Sequence, residues 1–385
     1  MLHMGGDQID EAVAHTAAVL RAAADRDWGA KAGGVDWSCL KTSEHIAGVL
    51  AAYACQLTGR ATDGWVPFDT FLDEGTGPEG AIHAIEAAAG LLSAVVRTTP
   101  RGVRAYHSYP SGGADASGFA AMGVTELLLH TYDIAHALGV DAEPPVSLAE
   151  AVLSHLFPHV PPTPAGGTPW TTLLWATGRG DLPDRARVTQ WRWHNPYALP
   201  AGELSLRELT PAAAADLAEG GTGGLTWLGG APFGGTRAAS GATFNKYVAG
   251  VHRPGWGVYA LVRTADEVAV GGMGFHGPPD DEGCVEVGYD LVEPARGNGY
   301  ATVALRALSA WALTHPEVTS LLALTTPENV ASQKVATGAG YVRLPDRTPH
   351  RAYGLHRKAP SRVITTSSAR STGPAEGVTK SPSWN

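Results

Sequence analysis

The chain has 385 residues, 44% of them hydrophobic and 17% charged, and a formal net charge of −9 at pH 7. That length exceeds one ordinary core, so two domains are expected, and the acidic balance argues against a general nucleic-acid binder, which carries a basic patch. Cys39, Cys55 and Cys284 make no disulfide framework, no stretch approaches the roughly 18 continuous apolar residues of a membrane span, and the start lacks signal-peptide order, so a cytoplasmic protein with no membrane partner is expected.

From the start to about residue 140 the pattern is helical. Ile9 to Ala24 is alanine-rich with few breakers. Leu40, Ile46, Val49, Leu50, Tyr53 and Leu57 then recur at helical spacing behind Ser38, a suitable N-cap. Ala81 to Val96 is a third helix between a Gly-Pro pair and Thr98-Thr99-Pro100, and a fourth runs from about Ser117 to Leu138 and stops at Gly139. Four helices joined by loops outline an all-α bundle. Val146 to Leu156 suits a fifth helix, ended by Pro161-Pro162-Thr163-Pro164. Trp170, Trp175, Trp191 and Trp193 follow closely and are expected to cover the bundle as packed aromatic mass. Residues 1–197 are read as this domain, and Asn195 to Gly202 as the boundary.

The pattern then changes to mixed α/β, with a domain over 203–358. Leu204 to Leu209 alternates like a strand. Gly220 to Gly241 is glycine-rich and is expected to hold mobile helices or loops. Strand-like runs lie at Val258–Val262, Val268–Phe275 and Val285–Val292. A helix at Ala301–Leu313, a strand at Ser320–Thr325, a helix at Asn329–Thr337 and strands near Tyr341 and Tyr353 complete the order. Ala359 to Asn385, rich in Ser, Thr, Gly and Pro, is expected to be disordered.

In the first domain, Glu126, His130 and Asp133 fall at i, i+4 and i+7 and project from one helix face. His45 sits among the apolar positions of the second helix, so a bundle brings His45, Glu126 and His130 within reach of one another. Two imidazoles and a carboxylate suit a divalent metal with an open coordination position, with Asp133 behind them. Glu-x-x-x-His pairs are common by chance and a lone core histidine is usually just packed, so spacing leaves both readings open. His136 lies off that face and is read as a surface residue, His107 as a solvated loop residue, and Cys39 and Cys55 as small core residues.

Val35-Asp36-Trp37-Ser38-Cys39-Leu40-Lys41-Thr42-Ser43-Glu44-His45-Ile46 and Thr125-Glu126-Leu127-Leu128-Leu129-His130-Thr131-Tyr132-Asp133 resemble the DinB-like, mycothiol-dependent maleylpyruvate isomerase family. Leu173 to Arg179 and Trp191-Arg192-Trp193-His194 extend the resemblance, which covers roughly residues 8–195. It implies that His45, Glu126 and His130 bind a divalent metal, usually zinc. The metal in turn takes a low-molecular-weight thiol, mycothiol, and favours its nucleophilic thiolate.

In the second domain, Arg296-Gly297-Asn298-Gly299-Tyr300-Ala301 is expected to join a strand to a helix, a place where backbone N–H groups can hold a pyrophosphate. Glu286-Val287-Gly288-Tyr289 before it, and Thr326 to Ser332 with Gly340-Tyr341 after it, complete a pattern that resembles the GNAT acetyltransferase superfamily over about residues 203–358. The resemblance implies a central mixed sheet that takes the pantetheine arm of acetyl-CoA between parted strands. Leu291 and Val292 would line the arm, with an N–H near Val292 polarising the thioester carbonyl. Arg296 through Thr302 would hold the diphosphate, and Asn329 would order the pantetheine amide. Ser332 would donate to the leaving thiolate, and Glu286 would take a proton from the amine through water. A solvent-facing strand carboxylate is the competing reading of Glu286.

One departure stands out: many superfamily members place a tyrosine acid four residues after the Ser332 position, and this chain has Ala336. The proton donor is therefore open, and Tyr341 is expected to pack beside the cofactor. Together the resemblances imply an acetyl-CoA-dependent N-acetyltransferase acting on a small-molecule or peptide N-terminal amine, fused to a metal- and thiol-dependent domain. An alternative makes the bundle a binding or scaffolding module only. A weaker one leaves the second domain binding CoA without turnover.

Overall fold

The computed structural model describes residues 4–100, 102–108, 113–183 and 185–357, so the expected disorder of 359–385 lies outside the described residues. The first half is helical: α1 (Gly6–Arg21), α2 (Cys39–Gly59), α3 (Pro78–Thr98), α4 (Ala116–Leu138), α5 (Val146–Leu156) and α6 (Pro169–Ala176). A short antiparallel ladder, β1 (Arg104–Ala105) with β2 (Ala114–Asp115), separates α3 from α4. Local chemistry sets the helix ends. Ser38 Oγ accepts from the Lys41 N–H at the start of α2, and Asp115 Oδ1 accepts from the Gly118 N–H at the start of α4. Gly139 closes α4 at φ 73°, a left-handed conformation that suits a residue without Cβ.

Helices α1 to α4 pack on one another around Ile9, Leu20, Ile46, Leu50, Leu92 and Leu127. By length and mean hydropathy α3 is apolar enough to cross a membrane, although His83, Glu86 and Ser93 interrupt its apolar runs. It buries Ile82, Ile85 and Leu92, while Glu79, Glu86 and Arg97 pair with Arg21, Asp7 and Asp10 of α1. Trp170 is buried and Trp175, Trp191 and Trp193 pack on the same core. His107 departs from expectation: it is buried, with Tyr53, Trp65, Phe119 and Trp193 around it. Cys39 is buried, but Cys55 is only half-buried.

The second half builds one sheet from β3 (Ala198–Ala201), β4 (Leu204–Glu208), β5 (Thr226–Trp227), β6 (Val258–Arg263), β7 (Val268–Phe275), β8 (Cys284–Leu291), β9 (Ser320–Thr325), β10 (Val342–Arg347) and β11 (His350–His356). The order is β10-β11-β9-β8-β7-β6-β4-β3, with β5 beside the start of β7. The β8–β9 and β5–β7 pairs are parallel and the others antiparallel, so the sheet is mixed. Helices α7 (Pro211–Ala218), α8 (Gly234–Val248), α9 (Tyr300–Ala312) and α10 (Val330–Gly338) flank it. A second core, containing Tyr259, Leu261, Val270, Leu305 and Leu321, lies beneath them.

Two boundaries move. β3 lies inside the expected linker and pairs Ala198 with Arg207 and Ala201 with Leu204, so the sheet begins before residue 203. The glycine-rich stretch after Gly220 runs into a regular helix, α8, which buries Thr236, Ser240 and Thr243 rather than an apolar stripe. The halves meet at buried Glu208. It lies 2.9 Å from His194 Nε2 and accepts from the N–H groups of Tyr197 and Gly255.

Candidate metal centre and acyl-transfer site

Helical spacing on α4 and the position of α2 bring three donors together. Glu126 Oε2 lies 3.4 Å from His45 Nε2 and 3.2 Å from His130 Nε2. One ligand atom from each of the three residues falls within 4.8 Å of the others. The imidazoles meet edge to face at 5.0 Å, and Trp37 covers His45 with ring centroids 4.9 Å apart. Asp133, on the same face of α4, lies 3.1 Å from His130 Nδ1, which aims Nε2 at Glu126. Arg179 donates to both oxygens of Asp133, at 3.0 and 2.8 Å, and the Tyr53 hydroxyl bonds to Glu126. Gly33 passes so close that a Cβ there would sit 3.0 Å from Asp133 Cα, tight enough that a larger residue would press on the backbone of α4 at this site. His136 is exposed and stacks on Tyr132, away from this cluster.

The electrostatics follow from burial set against partners. Burial would raise the Glu126 carboxyl, but hydrogen bonds and charge from His130 and His45 outweigh it and hold the group well below the usual carboxylate range. Burial likewise opposes the His130 imidazolium, yet Asp133 and Glu126 raise its pKa. Burial also works against ionised Asp133, but His130 and Arg179 bring it down to about 2. Two neutralisable imidazoles beside an ionised carboxylate, with one imidazole backed by a second carboxylate, is a donor set that fits a divalent metal.

The second site begins where two strands part. β8 and β9 pair from Cys284–Ser320 to Val287–Ala323 and no further, although β8 continues to Leu291 and β9 to Thr325. Val292 N–H donates to Val270 and His276 N–H to Glu286, so even-numbered residues of β8 bond toward β7. Alternation then turns the N–H groups of Tyr289 and Leu291 into the gap. Val292's own N–H is therefore engaged, and the donor near Val292 that faces the gap is that of Leu291.

Beyond the gap, Glu293–Ala295 makes a short 3-10 turn whose Glu293 carbonyl takes the Arg296 N–H. Gly297 and Gly299 have φ of 84° and 77°, and no atom lies within 4 Å of where a Cβ would stand on either. They lead into α9, whose first-turn N–H groups, from Tyr300 onward, have no partner within the helix. The Thr302 N–H turns back to the Gly299 carbonyl. The Arg296 guanidinium lies over Phe233, and Asn298 bonds back to the Ala295 carbonyl.

Across the gap, Asn329 caps α10 by accepting from the Ser332 N–H at 3.0 Å. Ser332 Oγ lies 2.9 Å from the hydroxyl of Tyr289, an interaction with no signal in the sequence beyond the Gly-Tyr pair itself. Burial pushes the Tyr289 phenol up, and the Ser332 contact lowers it only in part. Ala336 is buried and offers no hydroxyl, while Tyr341 is buried in the core with its hydroxyl 2.9 Å from Ser309. Glu286 is one-third exposed and faces His276 Nδ1 at 3.0 Å, a partner that local pattern could not reveal because it lies on another strand's end.

These features agree with what the chain resembles. Residues 203–342 match the model of the acetyltransferase (GNAT) domain. The chain is 32% identical over 88 residues to an uncharacterized N-acetyltransferase, YjdG, of Bacillus subtilis (strain 168), a match covering 23% of this chain and 52%, about half, of that relative. Among solved structures, an acetyltransferase from Agrobacterium tumefaciens str. C58 is 23% identical, covering 44% of this chain and 99% of its own at a TM-score of 0.31. RimL, a ribosomal L7/L12 alpha-N-protein acetyltransferase, is 16% identical, covering 42% and 96% at 0.31. Residues 203–342 of this chain form a GNAT acetyltransferase domain.

Proposed function

We propose that the C-terminal domain transfers the acetyl group of acetyl-CoA to an amine of a small molecule or a peptide N-terminus. The observation that carries this reading is the parting of β8 from β9 beyond Val287–Ala323 next to a glycine turn at the head of α9. The pantetheine arm completes the interrupted ladder, and the Leu291 N–H faces the thioester oxygen. Gly297 to Ala301 take the diphosphate at the positive end of α9. Ser332, hydrogen-bonded to Tyr289, supplies the proton for the departing sulfur. The test is calorimetric titration with acetyl-CoA, followed by free-thiol release with tetrapeptides and small amines as acceptors. Absence of binding up to about 1 mM, the top of the usual KM range, sinks the reading.

The helical half is proposed to bind a divalent metal, zinc by its donor set, together with a low-molecular-weight thiol. His45, Glu126 and His130 would hold the metal, and Asp133 keeps His130 Nε2 aimed at them. Such a metal favours the thiolate form of a bound thiol. The resemblance to the DinB-like family supports mycothiol as that thiol. Near-stoichiometric zinc in the purified protein, lost from a folded His45→Ala/His130→Ala variant, is the expected result. A wild-type chain that stays metal-free after zinc is supplied leaves the helical half as a binding or scaffolding module.

A further inference from the structure

Amine attack on a thioester needs a base close to the acyl group, and the face of β8 beneath α8 presents three residues there: Glu286, Gly288 and Asp290. Asp290 is already engaged. Its carboxylate accepts from the N–H and hydroxyl of Thr236 and from the Gly272 N–H. Gly288 is the first residue past the last β8–β9 pair, and a Cβ built on it would lie 3.1 Å from His276 Nε2. The missing side chain therefore seats an imidazole over the strand just where the gap opens.

That imidazole is held from several directions. Its Nδ1 lies 3.0 Å from Glu286 Oε1, its backbone N–H donates to the Glu286 carbonyl at 2.9 Å, and Lys246 of α8 donates to its carbonyl. A carboxylate on Nδ1 selects the tautomer with the proton there and leaves a lone pair on Nε2, the nitrogen over the gap. The His276 side chain is 63% exposed and Glu286 33%, so an incoming amine meets the imidazole before the carboxylate.

We propose that His276 is the catalytic base of acetyl transfer and that Glu286 is its positioning residue; this rests on the acetyltransferase reading above. Nε2 takes one proton from the ammonium form of the acceptor. The freed lone pair on nitrogen forms the C–N bond to the thioester carbonyl carbon, and the C–S bond breaks. The second amine proton reaches the sulfur through the Ser332 hydroxyl, and His276 returns its proton to water. The products are the amide and the free thiol, with no other reactant needed.

The test is nitrogen NMR of the full chain labelled with 15N-histidine, the His276 signals being assigned by their loss in His276→Gln. The expected result is the Nδ1–H tautomer in the wild type, a mixture of tautomers in Glu286→Gln, and displacement of the His276 signals on adding acetyl-CoA. With a tetrapeptide amine that turns over, His276→Gln lowers thiol release by about 100-fold or more. Acetyl-CoA affinity in that variant stays within about twofold. An Nε2–H tautomer, or signals unmoved by acetyl-CoA that calorimetry shows to bind, overturns the base assignment and leaves the acetyltransferase reading standing. Failure of the wild type to bind acetyl-CoA at all overturns that reading itself.

Discussion

In the proposed reaction a proton reaches sulfur through Ser332, and the side chain beside this hydroxyl is a phenol that arrives from β8 rather than from α10. The hydroxyls of Tyr289 and Ser332 lie 2.9 Å apart, whereas Ala336 on α10 is buried and carries no hydroxyl. Because burial raises the Tyr289 phenol, it serves better to orient Ser332 than to give up its own proton. Ser332→Ala should therefore lower kcat by roughly 10- to 100-fold, within the usual range for a lost acid. Tyr289→Phe should cost less, and acetyl-CoA affinity should hold in both. A rise in Kd matched by no change in kcat would reduce Ser332 to a binding contact. In the helical half, Asp133→Asn keeps the shape but weakens the hold on His130. Zinc affinity, measured by competition with a chromogenic chelator, should fall about 10- to 100-fold. An unchanged affinity would show that Asp133 serves Arg179 alone. His45, Glu126, His130 and Ser332 could be singled out from the sequence because motif and helical spacing mark them. Arg179, Tyr289 and His276 could not be given roles, since each acts on a partner from another element, at a sequence distance of 43 residues for Tyr289 and Ser332.

At the scale of elements, the parted strands and the glycine turn must work as one unit. Gly299, at φ 77°, is the N-cap of α9 and has no atom within 4 Å of its missing Cβ. Gly299→Ala thus meets no clash in the protein and costs about 1 kcal/mol through backbone strain. The new methyl points into open space at the turn proposed to receive the diphosphate. Acetyl-CoA affinity should drop by about tenfold or more, while Tm falls by only a few degrees. Equal losses of Tm and affinity in proportion to unfolding would deny the turn a binding role. Elements with a cap or a strict period are legible: Ser38 and Gly139 fix α2 and α4, and the strand-like run near Val268–Phe275 forms β7. α8 was obscure because polar Thr236, Ser240 and Thr243 form its buried face, so glycine content dominated the pattern. β3 was obscure because Pro200 suits a linker as well as it suits the sheet's edge. His107 looked like a loop residue, and only the fold shows the aromatic rings that enclose it.

Across the whole molecule, the two halves are joined through a patch rich in histidine, and that join should respond to pH. Glu208 on β4 bonds to His194 from the helical side, the His194 N–H donates to Leu156 at the end of α5, and Pro161 packs against Gly250. His159 sits in this junction. Burial first, and then the nearby positive charge of His194, Arg192 and His252, push it down to about 4 from an ordinary value of 6.5. An unfolded chain therefore binds a proton at this residue well before the folded one does. Stability is full above about pH 6.5 and declines as pH falls toward 4. The gap of about 2.5 pH units corresponds to about 3.5 kcal/mol at roughly 1.4 kcal/mol per unit, of which about 2 kcal/mol is lost by pH 5. His252, also lowered by burial, adds a change of the same sign, whereas Glu208 is held below its ordinary value and contributes a loss only at lower pH, as it protonates. Urea unfolding followed by tryptophan fluorescence at pH 7.5 and pH 5 reads the difference directly. The expected outcome is a wild-type midpoint that drops between the two and a His159→Gln midpoint that drops by distinctly less. If the substitution leaves the pH slope intact, the acid sensitivity belongs to other histidines and the junction is not what His159 protects.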